Sequence, residues 1–354
     1  CQLSCVVDPK EMFDNYLYVS STSKQFIRHF EKAAHTYKKL LNLNENSTLV
    51  DIGSNDGVAL KPMKELGVRV VGVEPAENLA KSANTKGLYT INSYFNDLVA
   101  SQIHDEFGKV DLVTASNVFA HSDKLQEITN NVFGILKKGG SFIIEVQYLV
   151  DTISTLTFDN IYHEHVNFWS VTSLNTFFKN LGFFINRVEH IDTHGGSIRV
   201  YVQSFASPDS TLDEFLDNEK EIGVDTIRFY KDFSAKIESI KRNVRTNLDL
   251  LKEKHSLIAG YGAPAKATTA LNYFGINESD IEYIIEDNEL KHDKYIPGVK
   301  IPIKSKSYCR ANMPELVIVL AWNFFDSIIE QNQDLISSGV TFINVTDLYE
   351  NQTV

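Results

Sequence analysis

The chain has 354 residues, 43% of them hydrophobic, and its 46 acidic against 34 basic side chains leave a formal charge of −12. That length exceeds what one core sustains, so two domains, or one domain with a large appendage, are expected. The acidic balance excludes a surface that binds nucleic acid by neutralising phosphates, although a local basic pocket for one small phosphate is compatible with it.

No apolar run approaches about 18 residues and no basic-plus-apolar leader is read, so neither a membrane span nor a signal peptide is expected, and the location is expected to be cytoplasmic. Cys1, Cys5 and Cys309 cannot build a disulfide framework, which agrees with a reducing compartment. Cys1 and Cys5 could supply half a zinc site, but no second pair follows, and no metal is expected. Because the first residue is Cys, something upstream is expected to be missing. The N-x-S/T sequons at Asn46, Asn277, Asn344 and Asn351 are read as inert in that compartment.

Residues 24–43 carry apolar side chains at helical spacing and run into a polar NENS turn. A strand and helix alternation follows: STLVDIG (strand), VRVVGVEP (strand), ENLAKSANTKG (helix), LYTINSYF (strand), VDLVTASNVFAH (strand), LQEITNNVFGILKKGG (helix) and SFIIEVQYL (strand). Val- and Ile-rich strands with little alternation belong to a parallel sheet covered on both faces, so residues 46–205 are read as one doubly wound domain, with 1–45 a preceding segment. Residues 206–255 read as a connector of long charged helices. A second alternating block, 256–354, contains HSLIAGYGAPAK, IEYIIEDN, ELVIVLAWNF and VTFINVTDL, and predicts a second Rossmann-like sheet.

The first glycine turn, V50-D-I-G-S-N-D-G57, brings backbone close to a ligand but lacks the G-x-G-x-x-G phosphate cradle. Its acidic residues suit a ligand that presents hydroxyl and ammonium donors. Glu74 ends the next strand about twenty residues on, where a carboxylate can accept both hydrogen bonds of a ribose diol. Asn96 and Asn117 follow at later strand ends. The competing reading is that these residues merely end strands and cap helices. The second turn, G260-Y-G-A-P-A265, does fit G-x-G-x-x-A, with Glu286 or Asp287 closing the next strand. Lys266 beside it suits phosphate charge but is no nicotinamide signature. Such a domain could hold any nucleoside diphosphate, or could only pack.

NIYHEHVNFW (160–169) crowds Tyr162, His163, Glu164 and His165 together. As an extended segment it would turn His163 and His165 to one face and Tyr162 and Glu164 to the other. A metal site would want more ligands than are in sight. A polar strand end is the bland reading. The remaining one is proton transfer, for which imidazole beside carboxylate and phenol is well suited, above all where a carbon acceptor must first be deprotonated next to a carbonyl.

The order of Asp51, Gly53, Ser54, Asn55, Asp56, Gly57, Glu74, Asn96, Asn117 and the KKGG turn resembles the class I S-adenosylmethionine-dependent methyltransferases, which implies that those nine residues hold S-adenosylmethionine, released as S-adenosylhomocysteine. More specifically, DPKEMFDNYLYVSSTS, SNDGVALKP, NVFAH, NIYHEH, THGGSIRVYV and GYGAPAKATTALNYFGI, in that order across nearly the whole chain, resemble the nucleotide-sugar C-methyltransferase family. The resemblance implies a class I methyltransferase domain, a helical connector and a second Rossmann-like domain. It implies methylation of the carbon beside the ketone of a nucleoside-diphosphate-linked deoxysugar. His165 would be the base, Glu164 its support, with Tyr162, His121, Tyr16 and Tyr18 around the sugar. His194, Ser197 and Arg199 would border the same pocket, and Tyr261, Gly262 and Lys266 would face the nucleotide. Family members usually carry a cysteine-rich zinc domain ahead of this point, and the resemblance leads us to expect that this sequence lacks most of it. Competing readings are a sugar O-methyltransferase and a non-catalytic nucleotide-sugar-binding protein. Neither nucleic acid nor membrane is an expected partner, and monomer and dimer both remain open.

Overall fold

The computed structural model describes residues 2–14, 16, 19–193 and 195–350. The chain forms two compact units, Cys1–Asp151 with His163–Asp225, and Thr152–Tyr162 with Thr226–Val354.

The first unit is built on β1 (Thr48–Ile52), β2 (Arg69–Val73), β3 (Thr90–Ile91), β4 (Val110–Ser116), β5 (Leu136–Gln147), β6 (Phe184–Ile191) and β7 (Ser197–Gln203). They lie in the order β3-β2-β1-β4-β5-β7-β6, and β7 runs antiparallel to both neighbours. Every residue of β1 is buried, as a strand covered on both faces requires. Alternate residues feed two cores: Val50, Val113 and Ile144 pack into one, while Leu49, Leu112 and Ile143 meet Ala33, Ala34 and Tyr37 of the helix Lys24–Leu40 in the other. Each such aliphatic side chain contributes about 1.5–3 kcal/mol by leaving water.

Local structure departs from the sequence reading where backbone geometry overrides composition. LYTINSYF pairs only at Thr90–Ile91. The run 110–121 stops being strand at Ser116, because Asn117 takes a positive φ of 56° and residues 119–121 close a 3-10 turn. The helix 125–140 ends at Ile135, and KKGG lies inside β5, where Gly139 has φ +88°. Helix Val171–Asn180, unread in the sequence, starts on a capping box made by Ser170 and Ser173.

The connector is also divided. Helix Ser210–Ile222 belongs to the first unit, where buried Glu219 accepts from the Val171 and Thr172 N–H groups (2.6 and 2.8 Å) and the Tyr148 hydroxyl (2.9 Å). That carboxylate caps another helix's N-terminus, which fixes its own helix to this unit. Helix Ile227–Lys254 belongs to the second unit and buries Ile237, Ile240, Val244 and Leu248 in its core. Residues 152–162, read as methyltransferase domain, also join this unit through Phe158.

The second unit holds a parallel sheet of β8 (Ile258–Tyr261), β9 (Ile284–Ile285), β10 (Ile303–Lys304), β11 (Leu316–Val319) and β12 (Thr341–Asn344), in the order β10-β9-β8-β11-β12. β10 is too short to show a pattern in the sequence. No helix among the described residues is long and apolar enough to cross a membrane.

Candidate active site

The loop after β1 is shaped by backbone that few side chains tolerate. Gly53 has φ +66°, and a Cβ there would lie 2.3 Å from Val118 Cγ2. Asn55 has φ +51° and donates its N–H to Glu74 Oε2 (2.8 Å), while Ala76 N–H donates to Glu74 Oε1 (2.9 Å). One backbone bond on each oxygen leaves each a lone pair, the set that two ribose hydroxyls need. Burial raises the Glu74 carboxyl above the usual range, opposed by those two N–H groups. Asp51 is fully enclosed and accepts from Thr114 Oγ1 (2.6 Å); burial, with Glu74 and Glu145 nearby, pushes its carboxyl up to about 7. A buried carboxyl whose ionised form would be favoured by a cation, beside a ribose-ready one, fits a nucleoside that carries positive charge, and the residues present therefore suit S-adenosylmethionine.

Among the other members of the expected cofactor set, Asn96 and Asp56 have their side chains engaged locally. Asn96 Oδ1 caps helix Asp97–Phe107 through Val99 N–H (3.0 Å), and Asn117 N–H donates to Glu145 carbonyl (2.9 Å). Asp56 accepts from Ser21 and from Lys86 Nζ (2.7 Å). Gly57, with φ +86°, packs against Leu88. Ser54 Oγ is buried, without a hydrogen-bond partner, near the Cα of Gly72.

Residues 161–165 form a turn rather than an extended strand, so His163 and His165 do not share a face: His163 is exposed and His165 buried. The His165 ring lies 5.2 Å from that of His121, and Phe13 stacks parallel to His121 at 5.8 Å. The Tyr16 hydroxyl donates to Glu164 Oε2 (3.3 Å), and burial raises the Glu164 carboxyl against that bond. The fold thus brings together Tyr16, His121, Glu164 and His165. Tyr162 is half-buried in the segment that belongs to the second unit. Tyr18 and His194 lie outside the described residues.

Ser197 and Arg199, expected at a substrate pocket, are internal. Ser197 Oγ donates to Thr193 carbonyl (3.0 Å). Arg199, 5% exposed, donates through Nε and Nη2 to Glu145 Oε1 (3.0 and 2.9 Å) and through Nη1 to Glu189 Oε2 (3.1 Å). His29 Nε2 lies 2.8 Å from Glu145 Oε2. Burial works against the charge on Glu145, yet His29 and Arg199 hold its carboxyl below the usual range. Sequence reasoning missed this network; its only local sign is a lone charge inside two apolar strands, FIIEVQ and SIRVYV.

In the second unit Gly262 has φ +86°, and a Cβ would lie 2.8 Å from Ala321 Cβ. Ala263 N–H donates to Glu286 Oε2 (2.8 Å) and Asn288 N–H to Glu286 Oε1 (3.0 Å). Buried Tyr261 instead donates to Asp287 (2.9 Å), which Lys306 approaches at 3.2 Å. Lys266 Nζ donates to Asn323 Oδ1 (2.8 Å) and sits 4.2 Å from the Trp322 ring centre, while Trp322 Nε1 donates to Asp159 (2.7 Å). Burial pushes the Lys266 ammonium down, opposed by Asp159.

Strand order β3-β2-β1-β4-β5-β7-β6 with one reversed strand, and a carboxylate closing β2 over a glycine turn, define a class I S-adenosylmethionine-dependent methyltransferase. Residues 26–187 match the family described as methyltransferase domain, and residues 192–346 the C-methyltransferase C-terminal domain. The chain is 33% identical over 341 residues to C-methyltransferase NovU of Streptomyces niveus, covering 96% of this chain and 81% of that protein. It belongs to the C-methyltransferase family. Among solved structures it is similar to the PH0226 protein of Pyrococcus horikoshii OT3 (18% identity, 55% of this chain, 97% of that one, TM-score 0.42). It is also similar to magnesium protoporphyrin IX methyltransferase of Synechocystis PCC 6803 with bound S-adenosylhomocysteine (15% identity, 50% of this chain, 83% of that one, TM-score 0.41).

Proposed function

We propose that this C-methyltransferase acts in the cytoplasm on a nucleoside-diphosphate-linked deoxysugar that carries a ketone, and that His165 is its base. The observation that carries this reading is the buried His165 ring beside His121, in the turn that also holds Glu164. A carbon acceptor needs such a group, because its C–H bond must break before it becomes a nucleophile. Neutral imidazole takes the proton next to the ketone, and the electron pair spreads onto the carbonyl oxygen. A donor such as His121 stabilises that oxygen, Tyr16 holds Glu164 in place, and the surrounding Phe13 and Phe168 rings exclude water. Bound S-adenosylmethionine supplies an electrophilic methyl group on a sulfonium sulfur. Asp51 and Glu74 orient it by charge and by ribose hydroxyls.

The nucleotide of the acceptor is assigned to the second unit. Glu286 receives the loop N–H and the N–H two residues on in the pattern Glu74 shows, which supports a second ribose site. Lys266, at the start of helix Ala265–Phe274, adds positive charge where a diphosphate would lie.

The test is His165→Ala, assayed with a panel of nucleoside-diphosphate ketosugars. Methyl transfer should fall by about 10²–10⁴-fold, with loss of deuterium washout from the carbon beside the ketone. S-adenosylhomocysteine affinity should stay within about twofold. Undiminished washout in the variant would remove His165 from the base role, and washout absent from the wild type would favour an oxygen acceptor.

A further inference from the structure

Five residues of the N-terminal arm touch the segments that follow four successive strands, at the edge of the first sheet formed by the carboxyl ends of its strands. Ser20 N–H donates to Asn55 Oδ1 (3.0 Å) after β1, and Ser21 N–H to Asp56 Oδ1 (3.3 Å). The Tyr16 carbonyl accepts from Asn78 Nδ2 (3.0 Å) after β2, and Asp14 from the Tyr94 hydroxyl (2.9 Å) after β3. Phe13 stacks on His121 after β4. This is the edge on which a class I methyltransferase holds its nucleoside.

Asp56 is 2% exposed, and its oxygens are occupied by the Ser21 N–H, the Ser21 hydroxyl and the Lys86 ammonium. A carboxylate so engaged has little left for a ligand. On the far side Ser23 caps helix Lys24–Leu40 through Phe26 N–H (3.3 Å), so the arm is fixed just beyond its anchor. We infer that Asp56 is a positioning residue. It anchors, through Ser21, the arm that carries Phe13 and Tyr16 to His121 and Glu164, and it does not itself hold S-adenosylmethionine. The inference rests on the reading that the acceptor reacts at that cluster.

Ser21 tests it, since it is no cofactor ligand under any reading. Ser21→Ala should lower kcat/KM for the ketosugar about tenfold, the equivalent of one charge-assisted hydrogen bond, and leave S-adenosylhomocysteine affinity within about twofold. Ser21→Thr should restore it. The pair Ser21→Ala and Tyr16→Phe should lose less than the product of the two single losses, because the Tyr16 contact is one of the two that the anchor holds in place. Multiplicative losses, or cofactor affinity falling in step, would overturn the anchor. Hydrogen exchange over residues 13–22 with S-adenosylhomocysteine bound needs no acceptor and should quicken in Ser21→Ala. Unchanged exchange would defeat the anchor whatever the acceptor is. Quickened exchange in an enzyme inactive on every ketosugar would instead fault the acceptor reading and leave the anchor standing.

Discussion

The two units solve one problem alike and a second one oppositely. In both, a carboxylate that closes a strand receives an N–H from the glycine loop and another from two residues on: Glu74 in the first unit, Glu286 in the second. The surroundings differ in sign. Asp51 lies near Glu74, whereas Lys291 stands 3.5 Å from Glu286 and Lys266 lies in the first turn of the helix after the glycine turn. Under the proposed function the shared part would recognise a ribose, and the differing part would select what the ribose carries, a cation in one case and phosphates in the other.

The largest effect that would sharpen this contrast is on stability. The first unit keeps an ionic network in its core, and Arg199→Met would leave Glu145 buried with the His29 ring and the Tyr37 hydroxyl as partners and without its guanidinium. A loss of about 3–5 kcal/mol is expected in that unit's denaturant transition. The second unit's transition should not move, and a common shift of both would break the comparison.

A smaller effect is the pH dependence of cofactor binding. The Asp51 carboxyl sits at about 7 in the folded protein, above its unfolded value, so the stability it contributes is full below the unfolded value and lost as pH rises through about 7. The ionised form is the one a cationic ligand favours. S-adenosylmethionine affinity should therefore rise between pH 6 and 8, by at most about tenfold per pH unit, and Asp51→Asn should flatten the curve. Nucleotide binding in the second unit should not share this profile.

What could be read in the sequence is what is local. The two glycine turns and the carboxylates about twenty residues beyond them lie on neighbouring strands joined by one short crossover, so spacing alone predicts their meeting. The turn at Asn117 was hidden, because Asn adopts positive φ only where the fold demands it. The bond from Tyr16 to Glu164 spans 148 positions and that from Arg199 to Glu145 spans 54, and no periodicity encodes such partners. Family resemblance marked Tyr16, Glu164 and Arg199 as functional and passed over Glu145. Structure separates them: Tyr16 joins the histidine cluster, while Arg199 neutralises the sheet interior.

The claim on which all of this turns is the division of ligands between two like-shaped loops. Calorimetric titration of Glu74→Gln and Glu286→Gln, each with S-adenosylhomocysteine and with uridine and thymidine diphosphates, tests it most directly. Glu74→Gln should weaken S-adenosylhomocysteine by about 10–100-fold and leave the preferred nucleotide unchanged, and Glu286→Gln should do the reverse. If both substitutions weakened the same ligand, or if Glu286→Gln bound every diphosphate as the wild type does, the division would be contradicted.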